Sequence, residues 1–213
     1  MKKKEIYLKW CVYKEHPEPT SCILALPGRG QSGFHMASTY LSVTNSPKTL
    51  IIGVTPIGFQ WYPMPKGPYD QYDALNGLGI AVKTIDDVVN RIIEKYNIPA
   101  DKISIVGYSA GGVMALMAAA HLPQHNFASI TCHAGTVLSP DELPDCANTE
   151  TELLICHSQD DNCFDWRSRY MPTREALRKK GYNVQFSERR EGGHSIFYDD
   201  LKKATNIMES KFG

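Results

Sequence analysis

The stretch "ISIVGYSAGGVMALMAAA", Ile103 to Ala120, decides how the chain is read. The apolar, β-branched run Lys102 to Val106 reads as a short buried strand. Ser109 to Leu122 is apolar and Ala-rich enough to be a central helix. Between them lies Gly107-Tyr108-Ser109-Ala110-Gly111, which puts a hydroxyl at the junction of two buried elements. The chain must turn a sharp corner there, so the backbone of Ser109 is expected to be strained. A Cβ at Gly107 or Gly111 would collide with the neighbouring strand or helix. The helix N-terminus adds the positive end of its dipole, and the Ala110 amide faces the space above Ser109, where it can bind an oxyanion. Gly-x-Ser-x-Gly on its own is a frequent chance pattern. Set between a strand and a small-residue helix, it points to a nucleophilic serine.

Working outward, strands and helices alternate. Cys22 to Leu26 is an apolar strand ending in the loop Pro27-Gly28-Arg29-Gly30, and Thr49 to Val54 is a second one, stopped by Pro56. Leu78 to Tyr96 keeps a helical period in its apolar residues, and Asn97-Ile-Pro-Ala-Asp101 ends it. Ala128 to His133 and Glu152 to Cys156 read as further strands. Thr173 to Lys180 is helical and closed by Gly181. Tyr182, Val184 and Phe186 alternate as a half-buried strand, and Ile196 to Phe212 reads as a last helix. Short unbroken apolar strands alternating with helices imply an α/β fold: a mostly parallel central sheet with helices on both faces. The 213 residues are read as one domain spanning 1–213, with no segment long enough for a large lid domain.

Composition narrows the function classes. Lys and Arg number 23, as do Asp and Glu, so no basic face is implied and nucleic acid is not expected as a partner. The run Lys2-Lys3-Lys4 is expected to solvate the N-terminus. Glu5 to Lys9 is too short and polar for the core of a signal peptide, and no apolar run reaches the length of a membrane-spanning helix, so no membrane insertion is expected. The chain reads as a soluble, cytoplasmic protein. Its cysteines (Cys11, Cys22, Cys132, Cys146, Cys156 and Cys163) are expected to be free thiols. Neither they nor the histidines show metal-ligand spacing, and no metal or cofactor is expected.

A nucleophilic serine needs a base, and the base an orienting acid, in this fold in the order serine, acid, histidine. His194 is the only histidine after His157. It follows Glu191-Gly-Gly, in a loop between a strand and the last helix, where two glycines let the backbone swing it over the sheet. Asp160 and Asp161, in the loop after Glu152 to Cys156, both qualify as the acid by position. A second oxyanion donor is expected from the loop after Cys22 to Leu26, and the amide of Arg29 is the candidate.

Together these pieces resemble the α/β-hydrolase fold, and within it the phospholipase/carboxylesterase family, which includes the acyl-protein thioesterases. "NIPADKISIVGYSAGG" is similar to that family's Gly-Ile-Pro…Arg-Ile…Gly-Phe-Ser-Gln-Gly-Gly, and "ICHSQDDNCF" to its His-Gly-x-x-Asp-x-Val-Pro. The resemblance implies a Ser109–His194–Asp161 triad, the acid falling on the fifth position of the second motif. It also implies an oxyanion hole from Arg29, in "LPGRG", and Ala110. The chain departs from the pattern at Pro27 (for His), Ala110 (for Gln) and Cys163-Phe164 (for Val-Pro).

The expected reaction is hydrolysis of small to medium carboxylic esters through an acyl-enzyme, with a small-molecule ester as partner. The loop Phe59-Gln-Trp61-Tyr62-Pro63-Met64-Pro65 either walls an acyl pocket beside Ser109 or packs plainly on the sheet. Phe34, Trp61, Tyr62, Phe164 and Phe197 are the candidate pocket residues, with Trp166 also on the site side. A thioesterase or lysophospholipase uses the same machinery. A small serine peptidase and a non-catalytic binding protein on the same scaffold are the other readings.

Overall fold

The computed structural model describes residues 9–62 and 71–213. Lys2 to Lys4, and Pro63 to Pro65 of the aromatic loop, lie outside the described residues. The strands are β1 (Lys9–Lys14), β2 (Ser21–Leu26), β3 (Thr49–Thr55), β4 (Ile103–Tyr108), β5 (Ser129–His133), β6 (Glu152–Ser158) and β7 (Val184–Arg189). The helices are α1 (Gly33–Leu41), α2 (Gln71–Tyr96), α3 (Ala110–His121), α4 (Met171–Lys179) and α5 (Tyr198–Phe212). One sheet carries all seven strands in the order β1-β3-β2-β4-β5-β6-β7. β1 runs antiparallel to β3, and every other pairing is parallel.

The two faces of the sheet follow from residue alternation. Every residue of β2 is buried. Cys22, Leu24 and Leu26 join a core that includes Leu78, Val82 and Ile85 of α2 and Val113 and Met114 of α3. Ile23 and Ala25 face the other way, onto Met36, Ala37 and Tyr40 of α1 and Leu201, Ala204 and Met208 of α5. A strand buried on both faces must be apolar throughout, which is why it shows no polar alternation.

This is the mostly parallel α/β-hydrolase architecture expected. Two elements had no distinct sequence signal: β1, an edge strand with a lysine at each end, and α1. A π-helical turn over Trp166–Tyr170 also precedes α4. β7 starts at Val184, because the buried Tyr182 turns its hydroxyl to the Pro144 carbonyl at 3.2 Å. Among the described residues no helix is long and apolar enough to cross a membrane. All six cysteines are free.

The strand order locates the functional face. From β2 the chain goes outward to β3, then returns across β2 to β4 and continues the other way. The winding therefore reverses between β2 and β4, and the loops leaving their carboxyl ends diverge. A crevice opens at such a switch point, where open α/β sheets bind ligands.

Candidate active site

Ser109 sits at that crevice, between β4 and α3, with φ 53° and ψ −119°. A non-glycine residue there holds strain of about 1–3 kcal/mol, which the surroundings must enforce. They do so from two sides. The Ser109 N–H donates to the His133 carbonyl at the end of β5, at 2.9 Å. The flanking glycines let β2, β4 and α3 close in: a Cβ on Gly107 would lie 2.1 Å from the Gly111 oxygen, and one on Gly111 would lie 2.1 Å from the Leu26 oxygen. Both clashes are with backbone and have no side chain to yield.

His194 arrives from the loop between β7 and α5. Its Nε2 is 2.8 Å from Ser109 Oγ and its Nδ1 is 2.8 Å from Asp161 Oδ2. The Asp161 side chain is fully buried, and its other oxygen accepts the N–H groups of Cys163 at 2.8 Å and Phe164 at 2.9 Å. Burial pushes this carboxyl's pKa up, but the hydrogen bonds from His194, Phe164 and Cys163 outweigh it and hold it below its ordinary value. An ionised Asp161 only accepts, so His194 Nδ1 carries the proton and Nε2 accepts from the serine hydroxyl.

Asp160 faces elsewhere. Its carboxylate accepts the N–H of Gly193 at 2.8 Å and of Gly192 at 3.1 Å, bonds that lower its pKa. The glycines have φ 140° and 63°, and a Cβ on Gly192 would lie 2.2 Å from Cζ of Phe197. The histidine loop thus presses on Phe197 and hangs from Asp160.

Two residues without a role in the sequence analysis also hold the site. The Tyr108 hydroxyl donates to the His194 carbonyl at 2.8 Å, with ring centroids 5.1 Å apart. The aromatic residue just before the serine is the signal that could have found it. His157 lies behind the acid, stacked on Tyr170 at 4.4 Å, with its Nε2 2.8 Å from the Phe164 carbonyl. Burial keeps it neutral by lowering its pKa, so Nε2 donates to that carbonyl.

The loop after β2 supplies the facing wall. Gly28 N–H donates to the Gln31 side chain, Gly30 N–H to the Phe59 carbonyl and Gln31 N–H back to the Gly28 carbonyl. Among the described residues no acceptor takes the Arg29 N–H. Ala110 is the first residue of α3, and its N–H has no partner within the helix. The loop is tied down from below by Trp61 Nε1, which donates to the Pro27 carbonyl at 2.8 Å.

The pocket candidates divide. Phe164 is beside the site, its ring centroid 5.9 Å from that of His194. Trp61 and Tyr62 are buried core residues at 7% and 5% exposure, while Phe34 is 54% exposed. Phe197 lies under Gly192 with the Arg189 guanidinium 3.6 Å above its ring, and Trp166 stacks on Tyr170. Of two cavities, one adjoins the array: it measures about 330 Å³ and is lined by Tyr108, His194, Ser195, Gln31, His35 and Thr39 together with Met36 and Ile196. The other, about 290 Å³ and more apolar, lies between α2, α3 and the loop after β5, with Leu78, Val82, Met117 and Val137 among its lining. Met117 is eight residues beyond Ser109, about 12 Å along the helix.

Comparison with known proteins agrees with this architecture. The family model described as Phospholipase/Carboxylesterase matches residues 18–211. Acyl-protein thioesterase 1 of Neurospora crassa is 28% identical over 176 residues, covering 73% of this chain and 69% of that protein. Among solved structures, esterase PE8 superposes with a TM-score of 0.80 at 20% identity, over 95% of this chain and 98% of that one. A phospholipase/carboxylesterase from Dyadobacter fermentans gives 0.78 at 18%, over 95% and 97%. With the sheet order, the strained serine corner and the family match in agreement, the chain belongs to the phospholipase/carboxylesterase family of ester hydrolases.

Proposed function

We propose that the protein is a serine carboxylesterase acting on small to medium esters through Ser109, His194 and Asp161. The observation that carries this reading is the unbroken hydrogen-bonded line from Asp161 through both ring nitrogens of His194 to Ser109 Oγ. His194 Nε2 takes the serine proton as Oγ attacks the ester carbonyl carbon. The negative oxygen is received by the amides of Arg29 and Ala110, each contributing about 3 kcal/mol in the transition state. His194 then returns the proton to the alcohol oxygen as the C–O bond breaks, leaving the acyl group on Ser109. Water enters by the same steps and releases the acid. Asp161 stays ionised and balances the imidazolium.

The leaving alcohol must depart where His194 can protonate it. The cavity beside His194 mixes the polar Gln31, His35, Thr39 and Ser195 with Met36 and Ile196, which favours a compact alcohol. The test is a p-nitrophenyl ester series from acetate to palmitate, with Ser109→Ala alongside. A short-chain optimum abolished by the substitution is expected; no turnover by folded protein would overturn the reading. The similarity to an acyl-protein thioesterase and the apolar cavity along α3 favour a second reading, a long-acyl thioesterase. An optimum at long chains, with faster turnover of the matching thioester, would select it.

A further inference from the structure

Cys163 stands two residues after Asp161, with its thiol exposed at the mouth of the site. The Asp161 carboxylate, the Cys163 thiol and a His194 ring nitrogen each offer one donor atom, and the three lie within 4.8 Å of one another. Oxygen, sulfur and imidazole nitrogen converging from two loops make the donor set of a zinc-type cation. A tetrahedral ion with bonds of about 2.0–2.3 Å separates its ligands by roughly 3.3–3.8 Å. Rotation of the exposed Cys163 side chain brings its sulfur into that range, and Asp161 and His194, 2.8 Å apart without the ion, separate by about half an ångström to admit it. The only other such trio among the described residues, His133, Cys156 and Asp200, is closed: His133 Nε2 is bonded to the Tyr40 hydroxyl, and Asp200 to Ser187 and Arg189.

Taking Ser109, His194 and Asp161 as the reacting groups, we propose that Asp161, Cys163 and His194 form an inhibitory site for a thiophilic divalent cation such as zinc. Binding releases one proton, from the Cys163 thiol, and the imidazole proton shifts from Nδ1 to Nε2, so that Nδ1 offers its lone pair to the ion. No electron moves, and water fills the fourth position. The ion replaces the Asp161–His194 hydrogen bond and holds the imidazole with its proton on Nε2, which then has no lone pair left to take the serine proton. Substrate can still reach the open side of Ser109, so the loss falls on kcat. Cys163 occupies a position where the family motif has valine, so the third donor does not come from that motif.

Two arms test this on the full chain. In the first, Ser109→Ala protein is titrated with cobalt(II), whose thiolate charge-transfer band in the near ultraviolet reports sulfur coordination without any turnover. A band saturating at one equivalent is expected, and it is lost when Cys163→Ser or Cys163→Ala is added. In the second, ester hydrolysis is followed at buffered free zinc, each variant referred to its own metal-free rate. Wild-type kcat falls on the order of 10²-fold or more at saturation and returns with chelator. Cys163→Ser needs at least about tenfold more zinc for half-inhibition. A band surviving in the double variants, or equal zinc sensitivity in Cys163→Ser, overturns the site. Turnover without a band overturns the site alone; a band without turnover overturns the esterase reading and leaves the cation site standing.

Discussion

Asp160 and Asp161, adjacent in the chain, grip the histidine loop at two points: Asp161 Oδ2 meets His194 Nδ1 at 2.8 Å, and Asp160 meets the Gly193 N–H at the same distance. Their replacements should therefore fail differently. Asp161→Asn is expected to lower kcat about 10³–10⁴-fold, because an amide no longer fixes the imidazole tautomer. Asp160→Ala frees the loop without changing the charge on the imidazole's partner, so a loss of about tenfold is expected, with KM little changed. Asp160→Asn, which keeps one acceptor for the glycine amides, should recover most of it. Steady-state kinetics of the three variants decide the matter, and equal losses for Asp160→Ala and Asp161→Asn would refute this division of roles.

The serine corner holds strain that only its surroundings maintain. At φ 53° and ψ −119°, glycine is at ease and alanine is not. Both Ser109→Gly and Ser109→Ala should be inactive. The glycine variant should be the more stable by about 1 kcal/mol. Denaturant midpoints of the pair test this, and an alanine variant as stable as the glycine one would contradict it.

Gly107 and Gly79 make a contrasting pair. A Cβ on Gly107 meets the Gly111 oxygen at 2.1 Å, whereas one on Gly79 in α2 meets nothing within 4 Å. Gly107→Ala should cost about 4 kcal/mol or more, or prevent folding. Gly79→Ala should stabilise by about 0.5–1 kcal/mol through helix propensity. Thermal melts compare the two, and similar shifts would sink the steric account.

Much of this site was legible because its chemistry is local. Gly107 to Gly111 sit between a strand and a helix, and small residues around a hydroxyl at a corner that tight let the two backbones meet while the serine stays open to the crevice. The candidate acid was legible by position only to within two residues, Asp160 and Asp161, with the family motif favouring Asp161; what distinguishes them in space is that Asp161 meets His194 and Asp160 meets Gly192 and Gly193, some thirty positions on. Which way an aromatic points is set by tertiary packing. Trp61 turned inward to hold Pro27, and Phe34 stayed in solvent. α1 has only a faint sequence signal although its buried residues Gly33, Met36, Ala37 and Tyr40 keep a helical period. A leading glycine and polar neighbours dilute that signal below the noise of a nine-residue window.

His133 predicts acid sensitivity. Burial, aided by the Arg189 charge, pushes its pKa down to about 3. An unfolded histidine titrates near 6.5, so between about pH 6.5 and 3 the unfolded chain binds a proton that the folded chain refuses. Stability should fall as pH drops through this window, by about 1.4 kcal/mol per unit from this residue. Asp161, with its lowered pKa, acts in the same direction at the acid end, where its carboxylate protonates. His133→Gln should flatten the dependence in urea titrations at about pH 7 and about pH 4.5. Parallel curves for the two proteins would rule out His133 as the cause.

The pairing of β2 with β4 has a consequence for tolerance to change. Leu26 lies level with Gly107, so the chain segments carrying the Arg29 and Ala110 amides start from paired residues of the sheet. Neighbouring strands are held about 4.8 Å apart by their backbone ladder. The roots of the two segments that carry the proposed donors are thus held at a repeat distance common to all β-sheets and independent of side-chain identity. Substituting residues around the crevice can alter what enters, while the spacing of those roots stays where the ladder sets it.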